Sequence, residues 1–259
     1  MQSHDRTRGK TAGERREKGT PLLLASASPR RSELLKAAGV RFSVIRCQVK
    51  EKEFAGRPAS TARFNAERKA LIAARRRPEA VVIAADTVVF RGKILGKPAD
   101  RAEARRMLEV LSGRTHRVYT AVTVIFPGGR KKITRVAMSQ VKMKKLQPET
   151  ISAYLRLVNT LDKAGAYAIQ EHGRMLIDKI SGSFTNVVGL PLELLKQILP
   201  ELPRFSENLL ERGFPSSAGI TGLCPQGPRS SARTPGRRLR PCATAAGGPG
   251  VSAPGSCPG

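Results

Sequence analysis

Residues 22–35 read Leu-Leu-Leu-Ala-Ser-Ala-Ser-Pro-Arg-Arg-Ser-Glu-Leu-Leu, a buried strand that runs straight into a helix. Ser28 stands where an N-cap belongs, and Pro29 suits the first helical position, where a missing N–H costs nothing. Arg30 and Arg31 follow at once. They bring positive charge to the positive end of the helix dipole, where Asp or Glu is usual. Two cations beside unpaired backbone N–H groups fit an anion-binding turn, with phosphate the common occupant. The competing reading is an ordinary capped helix with solvated arginines.

Composition divides the chain of 259 residues into three parts. Residues 1–20 are polar and charged, without apolar periodicity. From 205 to 259 the chain is rich in Pro, Gly, Ser, Ala and Arg and poor in large apolar residues. Neither end can bury enough surface to offset its ordering entropy, so both read as disordered tails. One domain is expected between them, over 21–204, long enough for a sizeable core. The net charge is +27, of which about a quarter lies in the tails. A strongly basic domain attracts polyanions, either nucleic acid or a nucleotide triphosphate. Rich Arg, Ala and Gly usage also suits a GC-rich genome.

Of the four cysteines, Cys47 lies in the domain and Cys224, Cys242 and Cys257 in the tail. None forms a C-x-x-C pair, which points to a reducing cytosol. The apolar run after the basic N-terminus is too short for a signal peptide, and Pro29-Arg30-Arg31 interrupts it. No stretch is long enough to span a membrane.

Apolar periodicity and turn residues predict helices over 29–38, 61–76, 100–111, 148–158 and 191–199. Strands are expected over 40–45, 81–90, 116–126, 132–146, 167–170 and 175–180. Pro127-Gly128-Gly129 reads as a hairpin turn. Phe64, Ala70, Leu71 and Ala74 are expected to face inward from their helix, with Met107, Leu108 and Leu111 buried on the next. Met138, Val141 and Met143 are core candidates on the second hairpin strand. The mixture predicts an α/β fold, a mixed β-sheet flanked by helices.

Asp86 is the most unusual polar residue. It interrupts Val81-Val82-Ile83-Ala84-Ala85 before Thr87-Val88-Val89, a segment that otherwise reads as buried strand. A buried carboxylate needs a cation, a metal or a function, and such groups cluster at sites. The plainer alternative is an Asp-Thr turn between two strands. Lys97 sits in the loop Gly96-Lys97-Pro98. Glu51 and Glu53 offer hard oxygen donors suited to Mg²⁺. His116 reads as a hydrogen-bonded structural histidine, and Cys47 as inert.

Taken together, several segments closely resemble the Maf family of nucleoside triphosphate pyrophosphatases. They are Ser26-Ala27-Ser28-Pro29-Arg30-Arg31, Ala85-Asp86-Thr87, Gly96-Lys97-Pro98, and Leu111-Ser112-Gly113 with His116. Asp162-Lys163-Ala164-Gly165-Ala166-Tyr167-Ala168-Ile169-Gln170, Gly182-Ser183 and Asn186-Val187-Val188-Gly189-Leu190-Pro191 follow in family order. Each is weak alone; the ordered set is specific. The resemblance implies an elongated fold with a substrate cleft, akin to inosine-triphosphate pyrophosphatases. It implies hydrolysis of a nucleoside triphosphate to monophosphate and pyrophosphate with a divalent cation, Mg²⁺ or Mn²⁺, and a homodimer. Ala-Asp-Thr with Gly-Ala-Tyr-x-Ile-Gln is similar to the dTTP/UTP branch.

By that resemblance Asp86 is the proton acceptor. Arg30, Thr87 and Gln170 match positions tied to substrate choice, and Ser28, Arg31, Glu51, Lys69 and Lys97 match the polar cleft. Glu51 and Asp86 would hold the metal. Two departures stand out: Lys50-Glu51 replaces a common acidic pair, and Glu171-His172 follows Gln170 where Gly is usual. The resemblance also leaves open action on a modified purine triphosphate such as 7-methyl-GTP and regulation of cell division, and the net charge leaves open nucleic-acid binding. Few aromatic residues and no binding motif speak against nucleic acid.

Overall fold

The computed structural model describes residues 20–199. The tails expected over 1–20 and 205–259 lie outside this range, Thr20 excepted, as do residues 200–204 of the expected domain. Among the described residues, seven strands form one mixed sheet. They are β1 (Leu22–Leu24), β2 (Ser43–Val44), β3 (Val81–Arg91), β4 (Lys93–Leu95), β5 (Thr115–Ile125), β6 (Lys132–Met143) and β7 (Ile177–Ser181). The order is β2-β1-β3-β5-β6-β7, with β4 also on β3. β2, β1 and β3 are parallel, while β3, β5, β6 and β7 are antiparallel.

The helices are α1 (Pro29–Ala37), α2 (Pro58–Arg76), α3 (Arg101–Leu111), α4 (Pro148–Leu157), α5 (Phe184–Val188) and α6 (Leu192–Ile198). Alternation along β3 sorts them onto two faces. Val81, Ile83 and Ala85 join a core with Leu34 and Leu35 of α1 and Leu192 and Leu195 of α6. Val82 and Ala84 face the other way, onto Ala70 and Ala73 of α2. A third core fills the far end, where Leu108 and Leu111 of α3 meet Tyr154 of α4 and Val141 and Met143 of β6. Asp100 caps α3 by accepting from the Glu103 N–H at 2.7 Å, and Glu103 accepts in turn from the Ala99 N–H.

β3 is the strand expected over 81–90 and runs unbroken through Asp86 and Thr87, since its ladder to β5 is continuous there, so the Asp-Thr turn falls away. Several expectations need correction. Residues 167–170 form no strand, because one side chain replaces a neighbouring strand. The Tyr154 hydroxyl accepts from the Ala168 N–H at 2.9 Å and lies 3.4 Å from its carbonyl oxygen. The strand expected over 40–45 shrinks to Ser43–Val44. α5 has no counterpart among the expected helices; Ser183 caps it through the Asn186 N–H, and Gly189 ends it at φ 121°. Leu71 is exposed, because α2 lies close to the sheet on small residues such as Ala62, Ala66, Ala70 and Ala73. Met138 is exposed because Ser139, Val141 and Met143 take the buried face of β6. β4, just before the loop at Gly96-Lys97-Pro98, has no counterpart among the expected strands.

Candidate active site

A cleft of about 700 Å³ opens where the sheet splits. β1 ends at Leu24, paired with Ile83, and β4 joins the same edge of β3 only from Val89. Between them β3 has its strand partner on the β5 side alone. Such a gap beyond the carboxyl end of a parallel strand is where open α/β sheets bind ligands. Ser28, Arg30, Arg31, Glu51, Lys69, Asp86, Thr87, Lys97 and Gln170 all line this cleft. Residues up to 142 positions apart in sequence thus meet in one space. Glu53 is exposed and lies outside the lining.

α1 begins at the cleft. Ser28 is its N-cap residue by position, but its side chain makes no capping hydrogen bond, and no acidic residue stands in the first turn. Arg31 is held from three sides. Its Nε donates to the Gly189 carbonyl at 2.8 Å, Nη1 to Ser26 Oγ at 3.0 Å, and Nη2 to Thr87 Oγ1 at 3.1 Å. Burial lowers its pKa from the ordinary value, against the pull of Asp86. Gly189 is required here: its φ of +121° is foreign to L side chains, and a Cβ would stand 3.1 Å from Thr87 Oγ1.

Asp86 and Thr87 are adjacent on a strand, so their side chains leave on opposite faces. Asp86, 6% exposed, points towards α2. There Lys69 Nζ donates to its Oδ1 at 2.6 Å and Asn65 Nδ2 to its Oδ2 at 3.4 Å. The same Lys69 ammonium reaches Glu51 Oε1 at 2.7 Å. Burial pushes the Asp86 carboxyl above the ordinary range, opposed by Lys69 and Arg31 and helped by Glu51. Burial also works against the Glu51 carboxylate, yet Lys69, Lys97 and Arg31 together hold its pKa below the usual value.

Sequence reasoning missed Asn65. It accepts from the Lys52 N–H at 2.9 Å and donates to the Lys52 carbonyl at 3.1 Å, which fixes the loop carrying Glu51. The signal was available: Thr61, Asn65 and Lys69 recur every four residues along an alanine-lined helix face. Asp162, Tyr167 and Cys47 also line the cleft. The half-buried Cys47 thiol has its pKa raised by burial, against Arg76. His116 is buried and bonded through Nε2 to the Tyr167 hydroxyl at 2.7 Å, the structural role expected.

The profile of the family described as Maf-like protein matches residues 21–202, which spans the sheet and the whole cleft. The chain belongs to the Maf family. It is 46% identical over 174 residues to the dTTP/UTP pyrophosphatase of Akkermansia muciniphila, covering 66% of this chain and 91% of that protein. It is 43% identical over 182 residues to the dTTP/UTP pyrophosphatase of Aquifex aeolicus, covering 70% and 95% respectively. Among solved structures it is similar to the Staphylococcus aureus Ham1 protein, with a TM-score of 0.43 and 15% identity over 70% of this chain and 98% of that one. The Maf motifs converge on the cleft: Ser26 and Arg31 come from the first, Asp86 and Thr87 from the second, and Gly189 from the last. Among the described residues, no helix is long and apolar enough to cross a membrane.

Proposed function

We propose that this Maf protein hydrolyses nucleoside triphosphates to monophosphate and pyrophosphate, with dTTP and UTP as its substrates. One observation carries the reading. Arg31, fixed at the start of α1, faces the Asp86–Lys69–Glu51 cluster across a single cleft. Five basic side chains (Arg30, Arg31, Lys50, Lys69 and Lys97) line that cleft against three acidic ones, Glu51, Asp86 and Asp162, so it favours an anion. The dTTP/UTP pyrophosphatases named above support the choice of base.

The triphosphate lies across the start of α1, where backbone N–H groups and Arg31 bind its oxygens. Lys97 and Arg30 add positive charge from the other walls. Asp86, more basic than an ordinary carboxylate, takes a proton from water as its oxygen bonds to the α-phosphorus. The bond from that phosphorus to the bridging oxygen breaks, and pyrophosphate leaves with the electron pair. Gln170 hydrogen-bonds the base.

The residues fit a divalent cation. The Glu51 and Asp86 oxygens already converge on one positive charge, the Lys69 ammonium, at 2.7 and 2.6 Å. Two carboxylates with substrate phosphates and water match the habit of Mg²⁺. Bound by Glu51 and Asp86, Mg²⁺ or Mn²⁺ would neutralise charge developing on the phosphates. The reading puts the enzyme among cytoplasmic nucleotide pools.

The test is pyrophosphate release across canonical and modified triphosphates, with and without Mg²⁺ or Mn²⁺. UTP and dTTP should lead, and Asp86→Asn should lower turnover by about 10²–10⁴. No release from any triphosphate would refute the reading, and near-normal turnover in Asp86→Asn would remove Asp86 from it.

A further inference from the structure

We propose that Thr120, a residue that does not line the cleft, positions Arg31 for phosphate through a one-way chain of hydroxyl groups anchored on Asn186. The directions follow from which groups can donate. A guanidinium only donates, so Thr87 Oγ1 accepts from Arg31 Nη2 at 3.1 Å. A carbonyl only accepts, so the single Thr120 hydroxyl proton goes to the Asn186 carbonyl at 2.9 Å. The 3.0 Å contact between Thr87 and Thr120 must therefore use the proton of Thr87. The order runs Arg31, Thr87, Thr120, Asn186, and each bond polarises the next.

The far end of this chain is rigid. Asn186 is fully buried. Its Nδ2 donates to the Val118 carbonyl at 3.1 Å and to Ser139 Oγ at 2.9 Å, and its backbone N–H donates to Ser183 Oγ at 3.0 Å. β5 and β6 thereby grip α5. Gly189, which ends α5, accepts from Arg31 Nε at 2.8 Å. Two of the three restraints on the guanidinium, those from Gly189 and Thr87, thus depend on the seat of α5. With Ser26 accepting from Nη1, three of the five N–H groups of Arg31 are engaged by protein, which leaves two for an anion. An arginine ordered before the ligand arrives loses less entropy on binding it. Thr120 is a positioning residue: it acts on phosphate only through Thr87 and Arg31.

The proposal rests on the cleft being a triphosphate site, so the experiment has two readouts. One is kcat/KM for UTP; the other is the affinity for inorganic pyrophosphate by calorimetry, which needs no turnover. Thr120→Val keeps the shape and removes the hydroxyl. It should lose about tenfold in both readouts, the scale of one hydrogen bond. Thr120→Ser should restore wild-type values. Thr87→Val combined with Thr120→Val should be no worse than Thr87→Val alone, because one break disables the chain. The UTP-to-GTP ratio should stay constant in Thr120→Val. A Thr120→Val protein within about twofold of wild type in both readouts overturns the proposal, as does a double variant whose loss is the product of the two single losses. If Thr120→Val does not fold, Thr120→Ala makes the same comparison. Should wild type cleave no triphosphate while the pyrophosphate series behaves as expected, the enzymatic reading falls and the relay stands.

Discussion

Mild acid should weaken this fold through a single histidine. His116 on β5 is 2% exposed. Its Nε2 lies 2.7 Å from the Tyr167 hydroxyl, and the two rings meet edge-on with centroids 5.4 Å apart. Its Nδ1 is buried with no partner among the described residues. Burial, helped by Arg91, lowers its pKa from 6.5 to about 4. Between those values the unfolded chain takes a proton that the folded chain refuses, so stability rises with pH across this window. The contribution is complete above pH 6.5 and is lost as pH falls towards about 4. The full drop corresponds to about 3 kcal/mol, and about 2 kcal/mol has gone by about pH 5. His116→Gln keeps a polar partner for Tyr167 and removes the titration. In urea unfolding between about pH 7.5 and about pH 5, wild type should lose stability more steeply than His116→Gln, by up to about 1.4 kcal/mol per pH unit. Parallel pH profiles for the two proteins would refute the argument, whatever their absolute stabilities.

Three further outcomes follow from the cleft. Gly189→Ala should cost about 1–3 kcal/mol, since the residue needs φ +121° and its Cβ would press on Thr87 Oγ1; an unchanged melting temperature would contradict this. Lys69→Met leaves Asp86 buried without its cation and should lose about 2–3 kcal/mol in chemical denaturation, recovered in part by adding Asp86→Asn; a difference under about 0.5 kcal/mol would sink the idea. Replacing Gln170 should shift the UTP-to-GTP ratio of kcat/KM, and an unaltered ratio would remove Gln170 from base selection.

Some of this architecture is local chemistry. Three leucines, Ser28 and Pro29 specify a strand feeding a helix whatever lies around them, and β1 and α1 form there. Asp100 with Glu103 writes the start of α3 in four residues. The oddity of Asp86 was visible as a carboxylate in an apolar run, because burial of charge is penalised in any fold. Its partner was not visible as such. Lys69 lies in a separate helix and became the counter-ion only when α2 settled on alanines against β3.

Long-range pairing decided the rest. Residues 167–170 have a strand's composition, but the Tyr154 hydroxyl satisfies the Ala168 backbone and no ladder forms. Thr87 and Thr120 are unremarkable threonines until the β3–β5 register sets them directly opposite each other. Sequence by itself determined where polar and charged groups interrupt apolar segments, since that depends on nearest neighbours and transfer free energy. Tertiary structure alone decided which of those groups touch, and in which direction each hydrogen bond points. A bond 66 residues apart in the chain, Thr120 to Asn186, has no local signature.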